Sequence, residues 1–447
     1  MKIILIMPGM GKKKNTSYVR TWQMEPLIIA QLASLTPDDV EIAFYDDRLE
    51  QIPYDEDCDL VGITVETYTA RRAYYISSQF RKRGIPVVVG GYHPTLLPEE
   101  AGEYADAVVI GEAENVWNQI LEDTKSKKLK KYYKEPLTSF AGFFPDRSVF
   151  AGKNYVKLNL IESARGCPFS CEFCSISEFY SSTYKTRPIE DITKEIQNIK
   201  GKRFFFIDDN LVADTKRAKQ LFKAITPLKI KWVGQASLQI ALDEKLLTIM
   251  KKSGCVGVLI GFESINKQNL EKMNKSWNQN IGKYEDLIKK IYKHGIGIYA
   301  TFLVGYENDT TETIERTFKF AEKSKFLLAA FNHLLPFPGT SAYKRLEEEG
   351  RLLKKKWWLS DNYRYGDYAF KPYHHEPEEL AKICEQSRKR FYSLPSILKR
   401  ASNFRGNLQS PVIALIYLIQ NLLAEKEVNK KMRIPLGEGL DDYENAK

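Results

Sequence analysis

The chain has 447 residues, 43% hydrophobic and 28% charged, an ordinary globular composition with room for two or three domains. Its net charge of +10 is moderate, and the basic runs at 125–131, 354–356 and 388–390 read mainly as solvated faces, so a dedicated nucleic-acid binder is not indicated. The 6 cysteines give no disulfide framework, which makes a reducing cytoplasm the expected compartment.

The chain opens with Met1-Lys-Ile-Ile-Leu-Ile-Met-Pro-Gly9, an apolar run too short for a signal peptide and followed by no small-residue cleavage site. It reads as a buried first strand. Short apolar, β-branched runs recur at 2–8, 41–45, 60–64, 86–89 and 107–110, with helix-like segments at 25–35, 70–84 and 98–104 among them. This alternation predicts an α/β fold with a doubly wound, parallel, Rossmann-like sheet over residues 1–124. Sheets of this kind bind ligands at the carboxyl ends of their strands. Those ends carry Pro8-Gly9, Thr64-Val-Glu-Thr67, Gly90-Gly-Tyr-His-Pro-Thr95 and Gly111-Glu-Ala-Glu114, whose glycines admit a ligand close to the backbone.

Residues 125–157, charged and then rich in Pro, Gly and Phe, read as an extended linker. A second alternating series follows, with strands expected at 158–163, 203–207, 231–235, 256–260, 296–303 and 327–334. Helices are expected at 188–199, 215–225, 244–253, 280–294 and 311–323. Six βα units predict a partial (β/α)6 TIM-type barrel over residues 158–345. Residues 346–447 read as a mainly helical C-terminal domain. Within it Pro411–Ala424 is mainly apolar but short of the about 20 residues that span a bilayer. A buried helix is the simpler expectation, with a membrane-lying helix or a wall for an apolar substrate beside it.

The most informative run is Arg165-Gly-Cys-Pro-Phe-Ser-Cys-Glu-Phe-Cys174, which follows the first strand of the second series. Cys167, Cys171 and Cys174 stand in a C-x3-C-x2-C spacing. A structural zinc site wants four ligands, and no second Cys pair or local His is at hand. Three unrelated buried thiols would be an odd clustering in so cysteine-poor a chain. A 4Fe-4S cluster held by three thiolates keeps one iron open for chemistry, and that reading is preferred. Cys58, Cys255 and Cys384 read as ordinary buried thiols.

At this point the sequence resembles the radical S-adenosylmethionine (SAM) superfamily. The cysteine triad lies behind the first strand of a βα barrel, and Phe173 fills the usual aromatic place before the last Cys. Further segments match in order: Phe206-Ile-Asp-Asp-Asn210, Gly261-Phe-Glu-Ser264, Phe302-Leu-Val-Gly-Tyr306, and Arg187 in Lys185-Thr-Arg-Pro-Ile-Glu-Asp. The resemblance implies that SAM chelates the open iron and is cleaved to a 5′-deoxyadenosyl radical. It assigns Phe173, Arg187, Asp209, Gln235, Glu263 and Gly305 to SAM binding.

The N-terminal half resembles the cobalamin-binding domain of cobalamin-dependent radical SAM enzymes. The strand-end residues Pro8, Gly9, Thr64, Glu66, Thr67, Gly90, Gly91, Tyr92, His93, Gly111, Glu112 and Glu114 are thereby assigned to cobalamin. The D-x-H-x-x-G motif is absent, so cobalamin without a histidine ligand is expected. Leu270-Glu-Lys-Met-Asn-Lys275 and Pro336-Phe-Pro-Gly-Thr-Ser-Ala-Tyr343 resemble a subgroup with hopanoid-modifying and bacteriochlorophyll-type members. The resemblance implies a C-methyltransferase that uses methylcobalamin on an unactivated carbon of a small or lipid-like substrate. Cyclisation or rearrangement without methylation, and RNA modification, are its rivals. It also implies an electron donor such as flavodoxin or ferredoxin. Nucleic acid is not expected as a partner, and peripheral membrane contact stays open. No catalytic acid or base is singled out.

Overall fold

The computed structural model describes residues 1–137, 139–278 and 281–440. Thr138 of the expected linker, Asn280 at the start of an expected helix and residues 441–447 of the expected C-terminal domain lie outside the described residues.

Strands β1 (Lys2–Met7), β2 (Glu41–Asp46), β3 (Leu60–Thr64), β4 (Val87–Gly90), β5 (Ala107–Val109) and β6 (Tyr132–Tyr133) form one sheet in the order β2-β1-β3-β4-β5-β6. All neighbours pair in parallel. The inner strands are apolar on both faces because helices cover both: Leu5 and Val61 are fully buried, as are Ile76 and Phe80 of the helix Ala70–Lys82. Strand β6 falls inside the stretch expected to be a linker. Two residues are too few to show a period. The strand exists because Val108 and Val109 pair with Tyr132 and Tyr133 and because Tyr133, buried, donates its hydroxyl to Asp123 Oδ2 at 2.8 Å.

The second sheet contains β7 (Asn159–Ile161), β10 (Arg203–Phe206), β11 (Lys231–Ala236), β12 (Cys255–Glu263), β13 (Gly297–Val304) and β14 (Leu328–His333). Its order is β14-β13-β12-β11-β10-β7, every pair parallel and the two edges unpaired with each other, so the barrel is open as expected. Alternate residues divide the labour. Trp232, Phe262 and Phe302 face the outer helices and are fully buried, each contributing about 1.5–3 kcal/mol. The residues between them, such as Gln235, Leu259, Glu263 and Thr301, are half-buried on the inner face. A short antiparallel ribbon of β8 (Ala164–Gly166) and β9 (Tyr184–Thr186), not expected from the sequence, flanks the cysteine loop.

The C-terminal region is helical at Pro377–Phe391, Leu394–Ala401 and Pro411–Lys431. Arg388 clamps the first of these to β14, donating from Nε to Phe331 O at 2.8 Å. The chain then returns to the first domain, where Gly437 N–H donates to Met10 O at 2.7 Å. The expected burial of Pro411–Ala424 is not what the structure shows. Tyr417 and Asn421 turn inward, whereas Leu415, Ile416, Leu418, Ile419, Leu422 and Leu423 are exposed. The run is apolar on most of its circumference, and its neighbours cover only the side that carries Tyr417 and Asn421.

Candidate active site

The cysteine loop hangs from the β8–β9 ribbon. At its entry Gly166 has φ +81°, and a Cβ there would stand 2.2 Å from Thr183 O, so only glycine lets the two strands close. The Gly166 N–H donates to Asp209 Oδ2 at 2.9 Å, which ties the loop to the end of β10. Further along, Phe169 stacks on Trp277 with centroids 4.0 Å apart. Asn274 Nδ2 donates to Ser170 Oγ at 2.8 Å, and Arg345 pairs with Glu172 at 2.9 Å. The loop is thus pinned from three sides by the barrel's far elements.

Cys167, Cys171 and Cys174 are half-buried free thiols on this loop, with Cys174 N–H donating to Cys171 O at 3.1 Å. Burial pushes the Cys171 thiol up to about 12, while Lys275 pulls it down and the other two thiols push it up. Among the described residues no three His, Cys, Asp or Glu side chains converge on one point as a single ion would require. Three thiols of one pinned loop with a cation beside them fit the donor set of an iron–sulfur cluster, because coordination deprotonates a thiol outright.

Lys275 carries that cation. It is buried, and its Nζ lies 2.9 Å from Glu263 Oε1. Glu263 occupies φ +61° at an irregularity where the β12–β13 register shifts. Such a backbone costs of order 1–3 kcal/mol and persists where surrounding contacts hold it. The Lys275 pair is one such contact, and it holds a carboxylate on the barrel's inner face. Gln235 stands half-buried on the adjacent strand β11, on the same face.

Beside the loop, a cleft with about 1460 Å³ of empty space, partly open to solvent, lies between the two sheets. Thr64, Glu66, Gly90, Gly91, Tyr92, Gly111, Glu112 and Glu114 line it from the first domain, and Glu162, Arg165 and Asp209 line it from the barrel. Gly111 has φ +90° with no atom within 4 Å of where a Cβ would stand, so bare backbone faces open space. Apolar side chains including Leu27, Ile28, Leu160 and Phe179 complete the wall. A bare-glycine edge with an apolar wall fits a large, flat, ring-shaped group.

Arg165 knots the two domains together. It is buried and reaches Glu114 at 2.6 Å, Glu112 at 3.2 Å, Glu162 at 2.9 Å and Gln31 Oε1 at 3.0 Å, with the Phe140 ring 4.3 Å away. Lys185 also pairs with Glu112. Burial pushes Asp209 up to about 6 and Asp208 up to about 7. Asp208 is spent on Ser163, accepting its N–H at 2.7 Å and its hydroxyl. Glu66 projects into the cleft and is exposed there.

Several expected site residues stand elsewhere. Pro8 and Gly9 are buried, Gly9 donating to Asp47 Oδ2 at 2.9 Å beneath Leu440 of the returning chain. The His93 imidazole is fully buried, between Thr67 Oγ1 at 3.3 Å and Glu100 Oε1 at 3.0 Å, so neither Thr67 nor His93 presents its side chain to the cleft. Arg187 is buried against Glu195 and donates to Phe143 O at 2.7 Å, fastening residues 139–150 to the barrel. Gly305 is closed over by Tyr368, Leu334 and Phe370, and its N–H is taken by Asp309 at 2.8 Å. Phe173 packs against an apolar cluster that includes Leu270 and Met273. Arg165 and Lys275 were not singled out from the sequence. The one signal for each was its place inside a motif quoted for other residues.

Comparison with known proteins decides the family. Residues 161–321 match the radical SAM superfamily and residues 27–121 the B12 binding domain. The chain is 31% identical to a bacteriochlorophyllide d C-12(1)-methyltransferase of Chlorobaculum tepidum, covering 84% of each protein. The chain belongs to the cobalamin-dependent radical SAM family. A second Chlorobaculum tepidum relative, a bacteriochlorophyllide d C-8(2)-methyltransferase, is 32% identical over 74% of this chain and 78% of its own length. The fold is that of TsrM from Kitasatospora setae, a radical SAM methyltransferase whose structure has cobalamin and a 4Fe-4S cluster bound, with TM-score 0.61, 17% identity and 78% and 75% of the two chains covered. Family membership brings a 4Fe-4S cluster and SAM with the barrel and cobalamin with the first domain.

Proposed function

We propose that this cobalamin-dependent radical SAM enzyme transfers a methyl group to an unactivated carbon of a small or lipid-like substrate. The observation that carries the reading is the cleft between the carboxyl edges of both sheets, immediately beside the loop of Cys167, Cys171 and Cys174. One-electron cleavage of a sulfonium and delivery of a methyl group are the chemistry that the cofactors supply when bound. The chain's own work is placement. The three thiolates hold the cluster, and the Gly166–Asp209 and Phe169–Trp277 contacts fix their loop. Glu263, oriented by Lys275, offers a carboxylate for the cationic amino group of SAM on the barrel's inner face, with Gln235 as a neutral partner. Thr64, Gly90, Gly91, Tyr92 and Gly111 would hold the corrin, and Arg165 ties the two walls of the cleft together.

The inner face of the barrel sets Val233, Leu259 and Leu303 beside Gln235, Glu263 and Thr301, which suits a largely apolar substrate held by a few polar groups. Two relatives named for methylating a bacteriochlorophyllide support the same class. An electron donor such as flavodoxin or ferredoxin would reduce the cluster in the cytoplasm, and peripheral contact with a membrane would give a lipid-like substrate its route. The test is anaerobic protein loaded with hydroxocobalamin and given methyl-labelled SAM and candidate ring or isoprenoid substrates. Labelled product and deoxyadenosine are expected together, and both should vanish in Cys171→Ala. Product without label would refute methyl transfer.

A further inference from the structure

The helix Pro411–Lys431 is apolar where a surface helix is ordinarily polar. Its covered side is fixed by buried polar contacts: Tyr417 donates to Ile397 O at 2.6 Å, and Arg400 Nη2 donates to Asn421 Oδ1 at 2.8 Å. Opposite them Leu415, Ile416, Leu418, Ile419, Leu422 and Leu423 sweep an arc of about 160° at about 100° per residue. Each is 37–57% exposed. One turn on, the same arc changes to Lys426 and Lys430, both exposed, with Glu425 at its edge. The neighbouring helix Leu394–Ala401 adds Leu394 and Leu398, and the connection between the helices adds Phe404, 70% exposed. Nine of the thirteen exposed large hydrophobic residues described therefore lie within residues 394–423, six of them on one arc of a single helix.

We propose that this face is a membrane-docking platform that lies in the headgroup layer of an anionic lipid surface. The charge around it selects that occupant. Arg405 and Lys426 have no acidic partner among the described residues, and Lys430 reaches only Ser17 Oγ. An apolar arc continued by cations matches acyl chains beneath anionic headgroups. The face is a ridge, which a fluid layer accommodates and a rigid partner would have to be grooved to receive. No helix among the described residues is long and apolar enough to cross a membrane, so the chain would lie on the surface. The inference is independent of the chemistry in the cleft.

The test is co-sedimentation of the full-length, cofactor-loaded protein with phosphatidylcholine vesicles made with and without phosphatidylglycerol. Binding should need the anionic lipid and weaken with salt. The triple variant Leu415→Gln, Leu418→Gln, Leu422→Gln should lose it. Lys426→Glu with Lys430→Glu should lower affinity roughly tenfold or more. Thermal midpoints equal to the parent protein's would show that the variants are folded, and Phe404→Ser with Leu398→Ser reads the same face should the triple variant fail that check. Failure to bind either vesicle, or unchanged binding by folded variants, would overturn the proposal. So would a lipid-free dimer that the same substitutions dissolve, which would assign the face to a second copy. None of these readouts depends on methyl transfer, so failure here and failure of the proposed chemistry are separately visible.

Discussion

Replacing Gly166 by alanine should empty the cluster site while the rest of the chain stays folded. Two costs meet at this residue. Its φ of +81° is the left-handed region, which costs a residue with a Cβ roughly 1–2 kcal/mol. The new Cβ would also stand 2.2 Å from Thr183 O, against the 3.0 Å that real Cβ atoms almost always keep. Nothing flexible can yield, because Thr183 O is backbone of the returning ribbon. Gly166 must therefore move, taking with it the N–H held by Asp209 and the adjoining Cys167. Gly152 is the control, since its φ is +79° but nothing lies within 4 Å of its Cβ position. Gly152→Ala should show the backbone cost alone. The assay is iron and sulfide content with the visible absorbance of the reconstituted protein, alongside thermal midpoints. Gly166→Ala should hold well under half the iron of Gly152→Ala. Equal iron content and equal midpoints in the two variants would refute the steric reasoning.

Lys275→Met should strip the buried cation from both Glu263 and Cys171, costing about 3–5 kcal/mol as a broken buried pair, and Lys275→Arg should recover part of it; thermal midpoint and iron content check both. Arg165→Met leaves Glu112, Glu114 and Glu162 facing one another across the domain boundary, so cobalamin affinity should fall at least tenfold by optical titration, with a similar few-kcal/mol loss of stability. Asp209 has its folded pKa raised by burial to about 6, so its contribution to stability is present below the ordinary carboxylate range and is lost as pH rises through 6. The cluster-free protein should therefore lose stability between about pH 4 and 6. Asp209→Asn should flatten that part of the profile, with Asp208 and Asp309 accounting for the remainder by urea midpoints. Gly111→Val should add a side chain to the open edge of the cleft and weaken cobalamin binding, while His93→Gln, whose side chain turns away from the cleft, should alter stability but leave the affinity near the parent value.

The strands were readable because each is a short apolar run between polar helices, and period and run length survive without tertiary information. Tyr132–Tyr133 was not, since a two-residue strand carries no period. The β8–β9 ribbon escaped notice for the same reason: Ala164–Gly166 and Tyr184–Thr186 are too short to announce themselves and pair only because the loop between them returns. The three cysteines share one loop because their spacing keeps them local, and the strand-end residues Thr64, Glu66, Gly90–Tyr92 and Gly111–Glu114 line the cleft; their cofactor roles belong to the proposal. His93, Arg187 and Gly305 stand in motifs that suit a site, but Glu100, Glu195 and Asp309 take up their side chains or backbone.

The sequence by itself determined the two α/β units, the triad that awaits a cluster, and the family, because local spacing and periodicity carry that information. Only the tertiary structure decided that the carboxyl edges of both sheets share one cleft, that Arg165 is a buried cation of its wall and Lys275 one beside Cys171 and Glu263, and that Leu415, Ile416, Leu418, Ile419, Leu422 and Leu423 face outward. Those are questions of which distant surface meets which. They are settled by Arg165 finding three glutamates at once, and by a C-terminal helix whose neighbours cover one side of its apolar stretch.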